Sequence, residues 1–213
     1  MSHAFATIAF TPAVREAQAR DGSRARYARA FESSDVVRNA ELGPDEEAFI
    51  HAQRSFYMAT VSETGWPYMQ HRGGPRGFLK MVDDRTLAFA DYRGNRQYIS
   101  TGNLAADGRA CLFLMDYTRR ARLKIYARVE QVALDADAAL TQLVTVPGYK
   151  AKLERIFRVR LEAFDWNCPQ HITPRFTEDE VTEAVRPLRD HVVALEAEVA
   201  GLRARLAATA NGA

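Results

Sequence analysis

The chain has 213 residues, of which 47% are hydrophobic and 26% charged, a globular composition that excludes disorder of the whole chain and allows one large domain or a domain with an appendage. The formal charge is +2, from 29 Lys and Arg against 27 Asp and Glu, so nothing in the global balance calls for nucleic acid or an anionic membrane. Cys111 and Cys168 belong to no CxxC motif or Cys/His cluster, which points to a reducing, intracellular setting and to no metal site.

The opening MSHAFATIAF has no basic n-region, and no run approaches the ~20 apolar residues of a membrane span. The expectation is a soluble cytoplasmic protein without a membrane partner. Residues 1–43 read as an N-terminal helical arm, rich in Arg and Ala, with a helix from Pro12 to Phe31 broken at Asp21-Gly22-Ser23. A second helix is expected from Pro44 to Arg54, with Pro early and Asp45, Glu46 and Glu47 in the first turn, where they complement the helix dipole.

A β region follows. Phe56–Val61 and Tyr68–Arg72 flank the turn Glu63-Thr64-Gly65, and Phe78–Val82 and Thr86–Ala90 flank Asp83-Asp84-Arg85, both in the hairpin pattern. Ala110–Met115 is nearly continuous in apolar residues, which predicts a strand buried on both faces. Arg122–Leu134 alternates: Leu123, Ile125, Ala127 and Val129 oppose Arg122, Lys124, Tyr126, Arg128 and Glu130. Ile156–Phe164 alternates too, and residues 135–144 read as one inserted helix. Short antiparallel strands with turn-sized gaps argue for a closed or nearly closed barrel over residues 44–176.

The tail, residues 177–213, carries the clearest periodicity. Val181, Val185, Leu188, Val192, Leu195, Val199, Leu202 and Leu206 alternate steps of four and three, a heptad seam with Val185, Val192 and Val199 at a and Leu188, Leu195 and Leu202 at d. Thr177 and Glu180 form a capping-box pattern at its start. β-branched a with Leu d favours a parallel two-stranded coiled coil, with Glu198 at g facing Arg203 at the next e. An amphipathic helix lying on its own barrel is the other reading.

Two stretches could carry chemistry. Between Arg93 and Arg128 eight basic side chains meet only Asp107 and Asp116. Asp91-Tyr92-Arg93-Gly94-Asn95-Arg96-Gln97-Tyr98 puts Gly and Arg in a turn after a strand, and Arg122 and Lys124 share one face of the next long strand. A phosphate needs such an arginine fork, a second cation and backbone donors; a solvated polar barrel face is the equal alternative. The second stretch, Arg72-Gly73-Gly74-Pro75-Arg76-Gly77-Phe78, places three glycines between strands, which permits close approach of a flat ligand and equally permits bulges. Neither a Walker loop nor a dinucleotide fingerprint is present.

The order of Phe56–Val61, a Gly turn, Arg72–Lys80, Leu87–Ala90 leading to Arg96-Gln97, the apolar strand at Cys111–Leu114, and Arg122–Glu130 resembles the pyridoxamine 5'-phosphate oxidase-like, FMN-binding split-barrel family over roughly residues 44 to 167. The resemblance implies a mainly β fold with flanking helices, an FMN-binding split β-barrel, here followed by a coiled-coil helix. It also implies a homodimer with the flavin site shared between subunits. By that resemblance Arg72, Gly73, Gly74, Arg76, Gly77, Phe78, Leu79 and Lys80 lie against the flavin, Ala90 and Asp91 end the next strand, and Arg96-Gln97 hold the FMN phosphate, with Gln97 where a lysine is usual. Arg122, beside Lys124, stands where a glutamine from the partner subunit usually meets the isoalloxazine, and Trp166 and His171 are placed to close the site. No catalytic residue is singled out. The oxidases' Arg-x-His motif near the C-terminus is replaced by the coiled tail.

The implied activity is an FMN-dependent oxidoreductase acting on an unidentified small molecule, with a nicotinamide cofactor as a candidate reductant. The alternatives are a flavin carrier or sensor without turnover, and a haem-binding or haem-degrading relative with His71 or His171 as ligand.

Overall fold

A computed structural model describes residues 3–32, 38–166 and 169–210; Cys168 lies outside them. The chain divides into two units: one runs to Asp116 and from Arg120 to His171, and the other comprises Tyr117–Arg119 and the residues from Ile172 onward.

In the first unit, helices α1 (Ala4–Ala9), α2 (Pro12–Arg20), α3 (Arg24–Phe31) and α4 (Pro44–Ala52) precede the sheet. Strands β1 (Ser55–Val61), β2 (Pro67–Gly73), β3 (Lys80–Asp83), β4 (Thr86–Tyr92), β5 (Arg109–Asp116), β6 (Ala121–Val132) and β7 (Leu153–Trp166) form one antiparallel sheet in the order β2-β1-β5-β6-β7-β4-β3. Helices α5 (Ile99–Ala106) and α6 (Ala138–Val144) are inserted between strands. Consecutive strands β2 and β3 are therefore the two free edges of a sheet wrapped around one core, which makes the barrel split. Phe56, Met58, Leu87, Phe89, Leu112, Leu114, Leu123, Ile125, Phe157 and Val159 fill that core, one from every second position, as a period of two requires.

Three expectations change. The helix from Pro12 breaks at Asp21–Ser23 as expected, but α1 ahead of it is docked: the Phe5 ring stacks on Tyr126 of β6 with centroids 4.9 Å apart. Phe78 and Leu79 are not strand residues; they are buried in the core, and β3 starts at Lys80. A Cβ on Gly74 would stand 2.7 Å from the Phe78 ring, and Gly77 turns the chain with φ +73° against His51. These glycines let Phe78 fold inward to stack on Phe56. β5, expected to be buried on both faces, buries Ala110, Leu112 and Leu114 but leaves Cys111, Phe113 and Met115 half-buried on the outer face. Burial pushes the Cys111 thiol up, away from thiolate reactivity.

The short helix α5 escapes periodicity. It is eight residues long and buries two polar side chains, Ser100 and Asn103, with Leu104. In the second unit, α7 (Glu178–Ala210) is one helix of 33 residues with Pro187 inside it. Its capping box forms: Thr177 N–H donates to Glu180 Oε2 at 2.7 Å, and Glu180 N–H to Thr177 Oγ1 at 3.2 Å. Val192, Leu195 and Val199 on the heptad seam are 44–45% exposed. Among the described residues no helix is long and apolar enough to cross a membrane.

Candidate functional site

The C-terminal end of β4, the following loop and the start of β7 enclose a cleft of about 230 Å³, lined chiefly by Gln70, Arg72, Asp91, Arg96, Ser100 and Glu154. At its floor Asp91 is buried; one carboxylate oxygen accepts from Arg72 Nη1 at 2.7 Å, and the other is ion-paired with Arg155, whose Nε lies 3.3 Å away. The Arg72 guanidinium also lies 5.1 Å from the centroid of the core ring Phe157. β2, β4 and β7 each contribute one member of this triad, so the barrel's own register fixes it. Burial pushes the Asp91 carboxyl up and the two arginines pull it back; a guanidinium this close keeps its charge, and the carboxylate with it.

The loop after β4 forms the rim. Arg96 and Tyr98 both sit in the left-handed region, with φ 61° and 54°, which is costly for residues with a Cβ and is found where a surrounding structure enforces it. Arg155 lies 4.9 Å from the centroid of the Tyr98 ring. Tyr98 then leads into α5, whose first internal bond is Gly102 N–H to Tyr98 O at 2.8 Å. The N–H groups of Ile99, Ser100 and Thr101 thus have no partner within the helix, and Ser100 and Thr101 line the cleft. Two side-chain bonds pin α5: Ser100 Oγ to Gln70 Oε1 at 2.8 Å, and buried Asn103 Nδ2 to Thr60 Oγ1 at 3.0 Å.

The charge balance is positive. Arg72 and Arg96 line the cleft with Asp91 and Glu154, and Arg155 and Arg93 pair with those two carboxylates from behind the lining. Among the described residues, the buried atoms Arg72 Nε and Tyr92 Oη find no hydrogen-bond partner, and both residues line the cleft. Donors without acceptors, a first helical turn and a net positive wall suit a phosphate ester.

The expected site residues separate into three groups. Arg72, Asp91 and Arg96 meet in the cleft; Gln97 is exposed beside it on an Asx turn, its N–H donating to Asn95 Oδ1. Gly73, Gly74, Gly77, Phe78 and Leu79 serve the packing of the β2–β3 connection, Ala90 packs behind β4 in a small second cluster with Ile156 and Val144, Arg76 is exposed, and half-buried Lys80 pairs with Ala88. Arg122 and Lys124 lie on the outer face of β6, opposite Met115 and Phe113. There Lys124 meets Asp165 at 3.6 Å and the Phe5 ring at 5.0 Å.

Trp166 closes no cleft within this chain: its indole donates to Glu46 Oε1 at 2.6 Å and its ring packs on Phe49, anchoring α4. His171 is exposed in the left-handed region, and His71 sits on the outer face of β2 beside Tyr57. The basic stretch Arg93–Arg128 is not one patch. Arg109 pairs with Asp107 and Arg128 with Glu162 on the surface, and neither arginine lines the cleft that holds Arg96. The residues that sequence reasoning missed are Ser100, Thr101, Glu154 and Arg155. Only recognition of a helix over 99–106 could have flagged the first two; the others depend on the β4–β7 register.

The sequence profile of the family described as pyridoxamine 5'-phosphate oxidase matches residues 42–162, more than half of the chain. The chain belongs to the pyridoxamine 5'-phosphate oxidase family. The match takes in the whole cleft, from Gln70 to Arg155, and stops before Trp166 and α7. No curated protein matches this chain. Similar solved structures include HupZ of Group A Streptococcus (14% identity, 63% of this chain and 99% of that one, TM-score 0.45). Others are an FMN-binding protein from Syntrophomonas wolfei (12%, 70% and 97%, 0.45) and an FAD-binding protein from Mesorhizobium loti (17%, 59% and 94%, 0.41).

Proposed function

We propose that this member of the pyridoxamine 5'-phosphate oxidase family is a cytoplasmic FMN-binding flavoprotein that works as a homodimeric oxidoreductase on a small molecule. The observation that carries the reading is the cleft, lined by Arg72 and Arg96 beside the open first turn of α5, with its two carboxylates, Asp91 and Glu154, already paired to Arg155 and Arg93. Arg96 on the rim, the N–H groups of α5 and Arg72 at the floor would hold the phosphate. The flavin, when bound, supplies the electron transfer. The protein's own part would be to neutralise the phosphate with Arg72 and Arg96, whose positions are set by Asp91 and by the packed β2–β4–β7 register.

The cleft is polar, so the ring needs a further wall. The outer face of β1, β2 and β5 offers one to a second copy: Tyr57 and Met69 are exposed, and Ala59, Cys111, Phe113 and Met115 are half-buried, adjacent in register across the three strands. Apolar surface of this extent on a sheet face suits burial in a dimer. Arg122, next to Met115 in that register, would then reach the partner's flavin. The exposed heptad seam of α7 adds a second pairing element, a parallel coiled coil. Deleting residues 177–213 is expected to leave a barrel dimer that holds flavin; a monomer with full flavin content would overturn the shared site.

The central test is a titration with FMN and with riboflavin, which lacks the phosphate. FMN is expected to bind more tightly, Arg96→Ala to erase most of that preference by roughly tenfold or more, and Arg38→Ala to leave it intact. Equal binding of the two flavins by the unaltered protein would overturn the reading. A Soret band on the purified protein would replace it with haem binding, and flavin that no nicotinamide cofactor bleaches would favour a carrier.

A further inference from the structure

We propose that Glu154 is a built-in counter-anion of the cleft, engaging the donors that a phosphate ester must take over and so setting how much negative charge the cleft accepts. This rests on the phosphate reading above. Within the β4–β7 ladder Asp91 pairs with Arg155 and Tyr92 with Leu153, so Glu154 is the extra residue of a β-bulge. In an unbroken strand Glu154 and Arg155 would point to opposite faces. The bulge re-aims one of them, a use of bulges that recurs beside functional sites, so that Glu154 lines the cleft while Arg155 meets Asp91 at its floor. Glu154 there lies 3.3 Å from Arg155 Nη2 and 3.6 Å from Arg93 Nε. It accepts from Tyr98 Oη at 3.3 Å, and that hydroxyl accepts in turn from Arg96 Nε at 3.2 Å. One carboxylate thus reaches three of the four arginines, directly or through one hydroxyl, while lining the cleft itself.

A phosphate dianion seated among the same guanidinium groups meets two opposing effects. It gains their positive charge, and it is repelled by a carboxylate a few ångströms away in a partly desolvated site. Glu154→Gln keeps the shape and an acceptor for Tyr98 and deletes the charge. The expected result is FMN affinity raised roughly tenfold at low ionic strength, with the gain shrinking as salt is added, and riboflavin affinity unchanged. Inorganic phosphate is expected to raise the melting temperature of the variant more than that of the unaltered protein, and Glu154→Ser, should the Gln variant fold poorly, to shift FMN affinity the same way. FMN binding that is unchanged or weaker in a well-folded Glu154→Gln, while the unaltered protein still prefers FMN to riboflavin, would overturn the proposal and make Glu154 a brace for the rim. Loss of the FMN preference in the unaltered protein would overturn both readings together.

Discussion

Arg72 and Arg128 each leave a strand of the same sheet to meet a carboxylate, 2.7 Å from Asp91 and 3.0 Å from Glu162. The first pair is 13% and 7% exposed, the second 63% and 44%. Their geometries are alike, and their energetic roles are not. An exposed pair exchanges one good aqueous environment for another and is worth little. A buried pair has given up its hydration, so each partner depends on the other, and removing one strands a charge. The same contrast separates the cleft from the outer face of β5–β6: Arg72 and Arg155 are held in fixed positions by burial and ring contacts and Arg96 by a backbone in unusual φ, whereas Arg109 and Arg128 are solvated and neutralised one by one.

The sharpest way to break that comparison is to delete one arginine from each side. Arg72→Ala leaves Asp91 buried with Arg155 alone, and a loss of about 3 kcal/mol is expected, the low end for breaking a buried ion pair because one partner remains. Arg128→Ala is expected to cost less than about 1 kcal/mol. Urea unfolding followed by circular dichroism reads both. Equal losses would mean that the cleft pair is as well solvated as the surface one.

A smaller effect tests whether the outer face takes part in the site across a dimer. If Arg122 of one copy faces the pyrimidine edge of the flavin held by the other, its charge favours the reduced, anionic ring, and Arg122→Gln should retain FMN but lower its midpoint potential. Each ~1.4 kcal/mol lost from a two-electron couple is about 30 mV, so a shift of roughly that size is expected in a spectroelectrochemical titration. Weaker binding with an unmoved potential would place Arg122 with the phosphate instead.

Much of the barrel was legible because its strands alternate with period two and end at turn residues. β1, β2, β4, β6 and β7 lie within three residues of their expected bounds, and Thr177 with Glu180 marked the start of α7. The failures have physical causes. Phe78 and Leu79 read as strand because hydrophobicity alone cannot distinguish a core-filling turn from a strand, and the glycines that make the turn were ambiguous by nature. α5 is short and buries polar groups, so no apolar stripe announces it. The site was half legible: Arg72, Asp91 and Arg96 stand out in composition, but Glu154 and Arg155 join them only through a bulge, and a one-residue slip in register is invisible before the strands are paired. The basic run from Arg93 to Arg128 misled because sequence proximity says nothing about which face of a sheet a side chain takes.

The smallest effect concerns how α1 is held to the outer face. His3 is buried, its ring 4.5 Å from that of Phe31, and its Nδ1 finds no partner among the described residues. Burial lowers its pKa below the ordinary value of 6.5, Asp165 partly opposes that shift, and Arg38 adds to it. A base whose pKa is lowered on folding binds its proton more readily in the unfolded or undocked chain. Its contribution is therefore fully present above pH 6.5 and is lost as pH falls through the lowered value. The neighbours of His3 are Phe31, Arg38 and Asp165, and Asp165 is itself tied to Lys124, which lies over Phe5. Mild acid should thus loosen Ala4–Ala9 and leave β6 untouched. Amide hydrogen exchange, corrected for intrinsic rates, is expected to show α1 keeping its protection from pH 7.5 down to about 6.5 and losing it as the pH falls further, and His3→Gln to remove that dependence. Protection of α1 that stays constant across this range would show that His3 keeps its place whether or not it carries a proton, and that the stacking of Phe5 on Tyr126 alone holds the helix.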